Sequence, residues 1–537
     1  MISVLRRAAD RAARTPKRLW ATAFVLFFAL SASWSVATPL GGSPDEHAHF
    51  IRAAAVARGQ INGSEVMVPH VVAGIEGHFA ETGVRLPQWY AELPTQHDCY
   101  AWQEGTPASC APAIGQSGKT VQVTTAAGRY HPAYYLATGW PSLLVKGPNA
   151  LYLMRLVSAA LCSALLASAV VTAAEWRRRS VALLGVFAAV TPMALYMGGM
   201  VNPSGGEIAA GVLVWTALLS VLMVPDRQLL NRRLARVGIG GLVLINIRPL
   251  GLIWFAGAVF FALLLQQRGV LGQVLRSKAL WVWTGLLGVA TAGALLWAGA
   301  HPDNSVINTP KTLTMKEAAR QTFGNTETYV HQMLGYFGWL DTPAPAFTWL
   351  VWLGVLAVLI ALGLAYGRGR EVVALLGMLL AVVVVPVVAQ TLQAEKLGMV
   401  WQGRYLLPFA VGLPLMAVLT AASRSPEGPE GPGGGFPWRR LTGFAVAGLA
   451  LANAAAFFWT LRRFAVGTSG PWVPFAAHWA PPGGWVLWTA VYTAAAFALV
   501  LPALARDWES DVPGGRPEQD DAAARPSQHR PRVPAAR

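Results

Sequence analysis

Three ionisable side chains share one helical face directly after the first apolar run of the sequence. Asp45, His49 and Arg52 are spaced i, i+4 and i+7, which places them on one side of an α-helix. A carboxylate or an imidazole in such a group can take a proton from a hydroxyl, and a guanidinium can bind a phosphate. Glu46 adds a second carboxylate. We therefore expect Asp45, Glu46 and His49 to be catalytic and Arg52 to contact the substrate.

Two other interpretations of this segment remain open. Ser43, followed three residues later by Glu46, forms the pattern of a capping box, which predicts that a helix begins here. In one alternative, Asp45 and Glu46 serve only to favour the positive end of the dipole of that helix. Asp45 and His49 also have the ligand types of a divalent metal site, although no third ligand lies nearby in the sequence. A divalent metal is therefore kept as an alternative, and no other cofactor is expected.

Further candidate binding residues follow in later segments, each beside an apolar run. A guanidinium presents a planar fork of donors that suits phosphate or carboxylate, and an ionisable group at the head of a span is a functional candidate. Asp341 closes the second long loop, and Gln402 precedes an arginine. We expect the substrate to be bound by Arg129, His131, Glu207, Arg248, Asp341, Gln402 and Arg404.

The composition is that of a membrane protein. Of the 537 residues, 54% are hydrophobic and 13% are charged, whereas soluble domains carry roughly 25% charged residues. This excludes a single soluble enzyme, a nucleic-acid binder and a disordered regulator. The formal net charge of +16 fits the excess of Lys and Arg on the cytoplasmic loops of membrane proteins.

Apolar runs predict an all-α polytopic protein with about twelve transmembrane helices. A span needs roughly 20 apolar residues, and clear runs lie at 19–39, 149–174, 180–200, 206–224, 279–300, 347–366, 372–391, 405–422, 441–461 and 484–505. The apolar region 237–265 is interrupted by Asn246, Arg248 and Pro249. We predict that it forms a hairpin of two short helices with its tip outside.

The charge distribution predicts the orientation in a plasma (inner) membrane. Lys and Arg outnumber acidic residues in the inner segments, whereas the two signs balance outside, so both termini are expected in the cytoplasm. All His residues except His529 fall outside. The active site is therefore predicted on the extracytoplasmic side.

Three regions are predicted along the chain. A basic cytoplasmic N-terminus covers 1–18, a transmembrane domain covers 19–505, and a disordered cytoplasmic tail covers 506–537. The outer loops 40–148 and 301–346 are too long to be connectors, and long ordered loops are usually functional. Cys99 and Cys110 share the first of these loops, and we expect a disulfide rather than a metal site, because an oxidising compartment permits one.

With these motifs assembled, the chain resembles a bacterial family of polytopic membrane proteins, the domain-of-unknown-function 2142 family (DUF2142). The resemblance covers roughly residues 20–500. It rests on four motifs: Pro44-Asp45-Glu46 with His49, Asn202-Pro203-Ser204 with Glu207, Gly338-Trp339-Leu340-Asp341, and Gln402-Gly403-Arg404-Tyr405.

More distantly, the layout resembles that of the GT-C glycosyltransferases. Those enzymes have many spans, an acidic motif just past the first span, and a His-Pro-aromatic stretch before the second. The resemblance implies a GT-C-like fold with Asp45 as catalytic acid or base. His131-Pro132 with Tyr134 and Tyr135 would match the aromatic stretch. The chain differs from those enzymes in two ways: it has one Asp-Glu pair where many of them carry other acidic pairs, and it has Ala133 where a second proline is common. These departures leave the metal requirement open.

The residues and the resemblance together predict a glycosyltransferase. It would transfer a hexose or pentose from a polyprenyl-phosphate donor to a cell-envelope glycan or lipid, with Asp45 as base and Arg404, Arg248 and Arg52 offsetting charge on the departing phosphate. The expected partners are that donor, that acceptor and the lipid bilayer, without nucleic acid. The alternatives are a transporter or flippase of a lipid-linked saccharide, and a non-catalytic scaffold of envelope assembly.

Overall fold

The computed structural model describes residues 14–72, 75–176, 178–307, 313–426 and 436–504 of the chain. These residues form an all-α polytopic membrane fold with a small β-sheet outside the helix bundle. Residues 1–13 of the predicted basic N-terminus and all of the predicted tail at 506–537 lie outside the described residues.

Helices make up most of the described chain. The first half contains α1 (Pro16–Ala37), α2 (Glu46–Ala57), α3 (Pro132–Gly139), α4 (Pro141–Leu144), α5 (Pro148–Ala174), α6 (Arg179–Ala189), α7 (Pro192–Gly198), α8 (Pro203–Met223), α9 (Leu230–Ile247), α10 (Pro249–Leu264) and α11 (Val270–Leu275). The second half contains α12 (Lys278–Ala300), α13 (Met315–Gly324), α14 (Thr326–Gly335), α15 (Ala346–Tyr366), α16 (Arg370–Thr391), α17 (Ala394–Leu397), α18 (Gly403–Ala410), α19 (Gly412–Arg424), α20 (Trp438–Val466), α21 (Trp485–Ala498) and α22 (Val500–Leu504). Several helices, including α1, α5, α8 and α10, begin with a proline, whose fixed φ suits the first turn.

Nine helices in the described ranges are long and apolar enough to cross a membrane. They are α1, α5, α8, α12, α15, α16, the run of α18 and α19, α20, and the run of α21 and α22. Helices α6 and α7 pass the same test only as a pair, and they are bent by 68° at the break between them. The all-α polytopic prediction is confirmed. The count of twelve, which also includes α9 and α10, stays a prediction.

Helices α9 and α10 form the hairpin expected from the sequence, with Arg248 at its tip. A Cβ atom at Gly251 would lie 1.8 Å from the Leu244 carbonyl oxygen, so the start of α10 packs tightly on α9. At the other end, the Gln267 N–H donates to the Leu222 carbonyl at 2.9 Å. The hairpin therefore returns the chain to the end of α8.

The two ends of the helix bundle are built differently. At one end, here called the site end, the chain leaves the bundle for the long segments 38–147 and 301–345. At the opposite end the connections are mostly short, and arginines hold them together. Arg233 donates to Glu175 Oε2 at 3.0 Å, and Arg178 donates to the Ala422 carbonyl at 2.9 Å.

A small antiparallel sheet joins the two long segments of the site end. In the first segment, β1 (Ser64–Val72) and β3 (Thr120–Thr125) flank β2 (Ile75–Pro87). From the second segment, β4 (Val306–Ile307) pairs with β2, while β5 (Tyr336–Phe337) and β6 (Thr342–Pro343) form a separate hairpin. Cys99 and Cys110 form a disulfide, which confirms the expected pairing.

Candidate functional site

A fully buried ion pair fixes the start of α2. The side chains of Glu46 and Arg155 are both 0% exposed, and they make two contacts, of 2.8 and 2.5 Å. The Val201 N–H donates to Glu46 at 3.1 Å. Arg155 also donates to carbonyl oxygens at the end of α1, those of Ser35, Thr38 and Pro39. The pair therefore fastens α1, α2, α5 and the segment before α8 to one another.

The expected capping box is not formed. Helix α2 begins at Glu46, and the Glu46 side chain turns to Arg155 instead of back to the Ser43 N–H. A bidentate contact with a buried guanidinium is stronger than one bond to a backbone N–H. Asp45 becomes the N-cap residue with a left-handed φ of 61°, and its side chain makes no capping bond.

Asp45 contacts a guanidinium from the other half of the chain. Its Oδ2 atom accepts a hydrogen bond from Arg404 Nη2 at 2.7 Å, although the residues are 359 positions apart. The Arg404 side chain is 0% exposed, and that of Asp45 is 49% exposed. The carboxylate is therefore accessible to an incoming group, while the cation behind it is buried.

The close approach of α18 to α14 positions Arg404. A Cβ atom at Gly403 would lie 2.1 Å from the Tyr329 carbonyl oxygen, so the approach requires glycine. The Gly403 N–H also donates to Gln332 Oε1 at 2.7 Å. Gln402 Oε1 and the Nε and Nη1 atoms of Arg404 are buried and have no hydrogen-bond partner in the described parts of the chain. The two guanidinium donors of Arg404 lie next to an accessible carboxylate and are available to a polar or anionic ligand.

Arg248, at the tip of the α9–α10 hairpin, supplies a second buried guanidinium. Its Nε atom lies 3.6 Å from Glu207 Oε2, and its Nη2 atom lies 3.4 Å from Asn202 Oδ1. The guanidinium is 5.4 and 5.3 Å from the ring centres of Tyr130 and Tyr405. Glu207 and Arg248 are thus brought together, as their predicted roles in one site require.

Asn202 and Tyr196 hold the backbone that leads to Asp45. Asn202 Nδ2 donates to the Pro44 carbonyl at 3.0 Å, and the Tyr196 hydroxyl donates to the Gly42 carbonyl at 3.0 Å. Asn202 also caps the start of α8. The sequence analysis recognised it only as part of a motif in a turn, because a capping asparagine gives no sign of a second, distant partner.

Both His49 and Arg52 form hydrogen bonds with neighbouring parts of the protein. The His49 Nδ1 atom is 2.9 Å from the Tyr135 hydroxyl. Arg52 donates to the carbonyl oxygens of Ile61 at 2.6 Å and Tyr130 at 3.0 Å. Arg52 therefore holds two backbone segments in place, and its expected contact with substrate stays a prediction.

The surrounding charges keep Asp45 ionised. Partial burial raises the pKa of Asp45, but Arg404 and more distant charges outweigh it and lower the pKa below the usual value of 3.8. Burial lowers the pKa of His49 well below its usual 6.5, and Arg248 lowers it further. At neutral pH Asp45 is a carboxylate and His49 is a neutral imidazole.

A cavity of about 200 Å³ lies beside Arg248, between the α9–α10 hairpin and the end of α12. Arg129 and His131 line it together with Tyr130, Asn246, Trp297, His301 and Asp303. Arg129 forms an ion pair with Asp303, and His131 caps the start of α3. Both predicted binding residues therefore lie near Arg248.

An apolar groove of about 500 Å³ extends from the opposite end of the bundle towards the same region. Its lining includes Trp20 and Arg236 near the opposite end, and Tyr134, Gly206 and Asn246 near the site end. Gly206 adjoins Glu207, and Asn246 lies two residues before Arg248. A groove of this kind suits an acyl or prenyl chain whose polar head lies beside Glu207 and Arg248.

Asp341 lies in a different environment from the other candidates. It is buried, and its Oδ2 atom accepts a hydrogen bond from Arg463 Nη2 at 3.2 Å.

The sequence analysis did not recognise two arginines, Arg155 and Arg463, as the structural residues that organise the site end. Their spacing gives no local signal, because their partners lie far away in the chain.

The side chains around Asp45 and His49 do not fit the alternative of a divalent metal site. Among the residues the structure describes, no group of three or more His, Cys, Asp and Glu side chains is arranged to hold a metal ion. Asp45 contacts Arg404, and His49 contacts Tyr135. A guanidinium in contact with Asp45 also opposes a second cation there.

Comparisons with known proteins gave two matches. A family model described as "Predicted membrane protein (DUF2142)" matches residues 27–413. Among solved structures, ArnT from Cupriavidus metallidurans, in a crystal structure bound to undecaprenyl phosphate, is similar with a TM-score of 0.41 and 13% identity, covering 90% of this chain and 76% of that chain. No curated protein matches the chain.

Proposed function

Since the chain belongs to the DUF2142 family of predicted membrane proteins, we propose a function suited to a membrane-embedded site: transfer of a sugar from a polyprenyl-phosphate donor to a cell-envelope glycan or lipid. In this proposal the protein is a GT-C-type glycosyltransferase of the plasma membrane. The site end faces the extracytoplasmic side, where such a donor presents its sugar.

The observation that carries the proposal is the contact between Asp45 and Arg404. It joins an accessible carboxylate to a buried guanidinium at 2.7 Å. Arg404 keeps two further donor atoms without a partner in the described residues. A base next to spare buried cationic donors is the arrangement that transfer from a phosphate leaving group needs.

The proposed reaction uses these groups directly. Asp45 takes the proton of the acceptor hydroxyl as that oxygen attacks the anomeric carbon of the donor sugar. The bond from the anomeric carbon to the phosphate oxygen breaks, and polyprenyl phosphate leaves with one additional negative charge. Arg404 and Arg248 stabilise that charge, and the apolar groove accommodates the prenyl chain.

The test is turnover by the purified protein in lipid nanodiscs. Radiolabelled polyprenyl-phosphate mannose and polyprenyl-phosphate arabinose are supplied with a cell-envelope glycan fraction, and labelled glycan is measured. We expect transfer by the wild-type protein and a rate at least about 100-fold lower for Asp45→Asn, since general base catalysis is worth that much. Glu317→Gln is the matched control, because it neutralises a carboxylate that pairs with an exposed arginine, Arg320.

The outcomes separate the alternatives. Undiminished transfer by Asp45→Asn would remove this residue from the mechanism. Movement of the intact lipid-linked saccharide across proteoliposomes, with no glycosidic bond formed, would replace the proposal with the transporter alternative. Cells that grow and assemble their envelope normally with both Asp45→Asn and Arg404→Gln would favour the scaffold.

A further inference from the structure

One buried carboxylate holds two tryptophans that come from different segments of the site end. Asp341 Oδ2 accepts a hydrogen bond from the Trp102 N–H at 2.9 Å, and Asp341 Oδ1 accepts one from the Trp339 N–H at 3.1 Å. Arg463 neutralises this carboxylate at 3.2 Å. Asp341 therefore fixes the relative positions of the two tryptophans.

The loop that carries Trp102 is braced at several points. The disulfide between Cys99 and Cys110 closes it. Arg463 donates to three carbonyl oxygens within it, those of Tyr100 at 2.6 Å, Thr106 at 3.1 Å and Gln103 at 3.3 Å. This bracing holds the loop in one conformation.

Backbone strain is concentrated at the same place. In the described ranges, the non-glycine residues with positive φ are Asp45 at 61°, Trp102 at 57° and Leu340 at 58°. Such conformations persist only where the surrounding structure enforces them, and they cluster at ligand-binding sites. The three residues flank a single patch of the site end.

The patch has an aromatic surface beside Asp45. Trp339 and His97 stack with ring centres 3.9 Å apart, and Trp102 lies 5.7 Å from Trp339. The Trp339 Nε1–H donates to the Gly41 carbonyl at 2.9 Å, four residues before Asp45. We call His97, Trp102 and Trp339 the aromatic platform. Trp102 is 63% exposed despite its size.

The charges around the platform favour a neutral polar ligand over a membrane surface. Asp98, with its side chain 63% exposed, and Glu104, also exposed, flank Trp102 in the loop, and their charges oppose contact with anionic lipid headgroups. Burial lowers the pKa of His97 to about 4, so the platform carries no imidazolium at neutral pH. Aromatic faces with nearby carboxylates suit a saccharide, whose C–H groups stack on rings while its hydroxyls donate to the carboxylates.

We propose that the aromatic platform is the subsite that binds the acceptor, and that the acceptor is a neutral saccharide stacked on Trp102 and Trp339. The proposal rests on the transferase function proposed above and specifies its acceptor. The platform adjoins Asp45, so a sugar residue bound there presents a hydroxyl to the base. Asp341 acts as a positioning residue, because it holds both tryptophans through their backbones.

Saccharide binding tests this proposal without a donor. The full-length protein in nanodiscs is titrated calorimetrically with three neutral hexasaccharides, of mannose, glucose and arabinose. We expect at least one to bind, at least tenfold weaker binding for Trp102→Ala and Trp339→Ala, and intermediate binding for Trp102→Phe. Trp472→Ala, which removes a tryptophan 70% exposed elsewhere, should bind as the wild type does.

Two readouts distinguish the possible failures. Saccharide binding is measured without any donor, so failure of the transferase proposal alone would leave this binding intact. The subsite proposal is overturned if none of the three saccharides binds the wild-type protein, or if the Trp102→Ala and Trp472→Ala proteins bind equally well. It is also overturned if brominated phospholipids quench the fluorescence of the wild-type protein more than that of Trp102→Phe, because Trp102 would then be a membrane anchor.

Discussion

At the scale of single residues, two adjacent carboxylates have opposite environments. Asp45 is about half exposed and contacts Arg404, whereas Glu46 is fully buried in a bidentate pair with Arg155. The sequence presents them as one acidic pair. Because burial and partners decide what a carboxylate can do, we assign Asp45 to the chemistry and Glu46 to holding the helix that follows it.

Replacing Glu46 with Gln tests this division. The change leaves the buried charge of Arg155 unpaired, so we expect a loss of about 3–5 kcal/mol in the free energy of unfolding. The melting temperature in detergent should fall, while transfer per folded molecule stays near the wild-type rate. Glu317→Gln should change neither quantity. A stable Glu46→Gln protein with no transfer would instead place Glu46 in the reaction.

At the scale of helices and strands, the elements were predictable to different degrees. The α9–α10 hairpin followed from Arg248 and Pro249 inside an apolar region, and the structure confirms it. The capping box at Ser43 was wrong, because the competing partner of Glu46 lies far away in the sequence. The approach of α18 to α14 could not be predicted, since no local pattern shows which helix faces Gly403.

Gly403→Ala tests whether that approach positions the site. The new Cβ atom would lie 2.1 Å from the Tyr329 carbonyl oxygen, so α18 must move and carry Arg404 with it. We expect donor turnover to fall at least tenfold. Gly354→Ala is the matched control, because a Cβ atom there meets nothing within 4 Å. Full activity in Gly403→Ala would show that α18 need not be held this closely.

At the scale of the whole molecule, segments from both halves of the chain meet at one end of the bundle. The contact between Asp45 and Arg404 agrees with the single site expected from their chemistry and from the span pattern, and Arg248 lies over the neighbouring Tyr405 ring with Glu207 as its charged partner. The place of Asp341 was not predicted, because its partners Trp102 and Arg463 come from segments that no periodicity connects. The chemical type of each residue and the order of the spans can be read directly from the sequence. Which loops contact one another depends on how the whole chain packs.

The proposed orientation can be tested by cysteine labelling in intact cells. Cys162 is buried and Cys99 is paired with Cys110, so single cysteines can be introduced into the natural background. Glu104→Cys at the site end should react with a membrane-impermeant maleimide. Arg227→Cys at the opposite end should react only after the membrane is permeabilised. The reverse pattern would put the site end in the cytoplasm.

The most direct measurement is a structure of the protein in nanodiscs with undecaprenyl phosphate. We predict that the phosphate lies within hydrogen-bond distance, about 3 Å, of the Nε or Nη1 atom of Arg404, with Arg248 beside it and the prenyl chain in the apolar groove. A phosphate bound instead at the opposite end, near Arg233 and Arg236, would contradict a donor site formed by Asp45, Arg248 and Arg404.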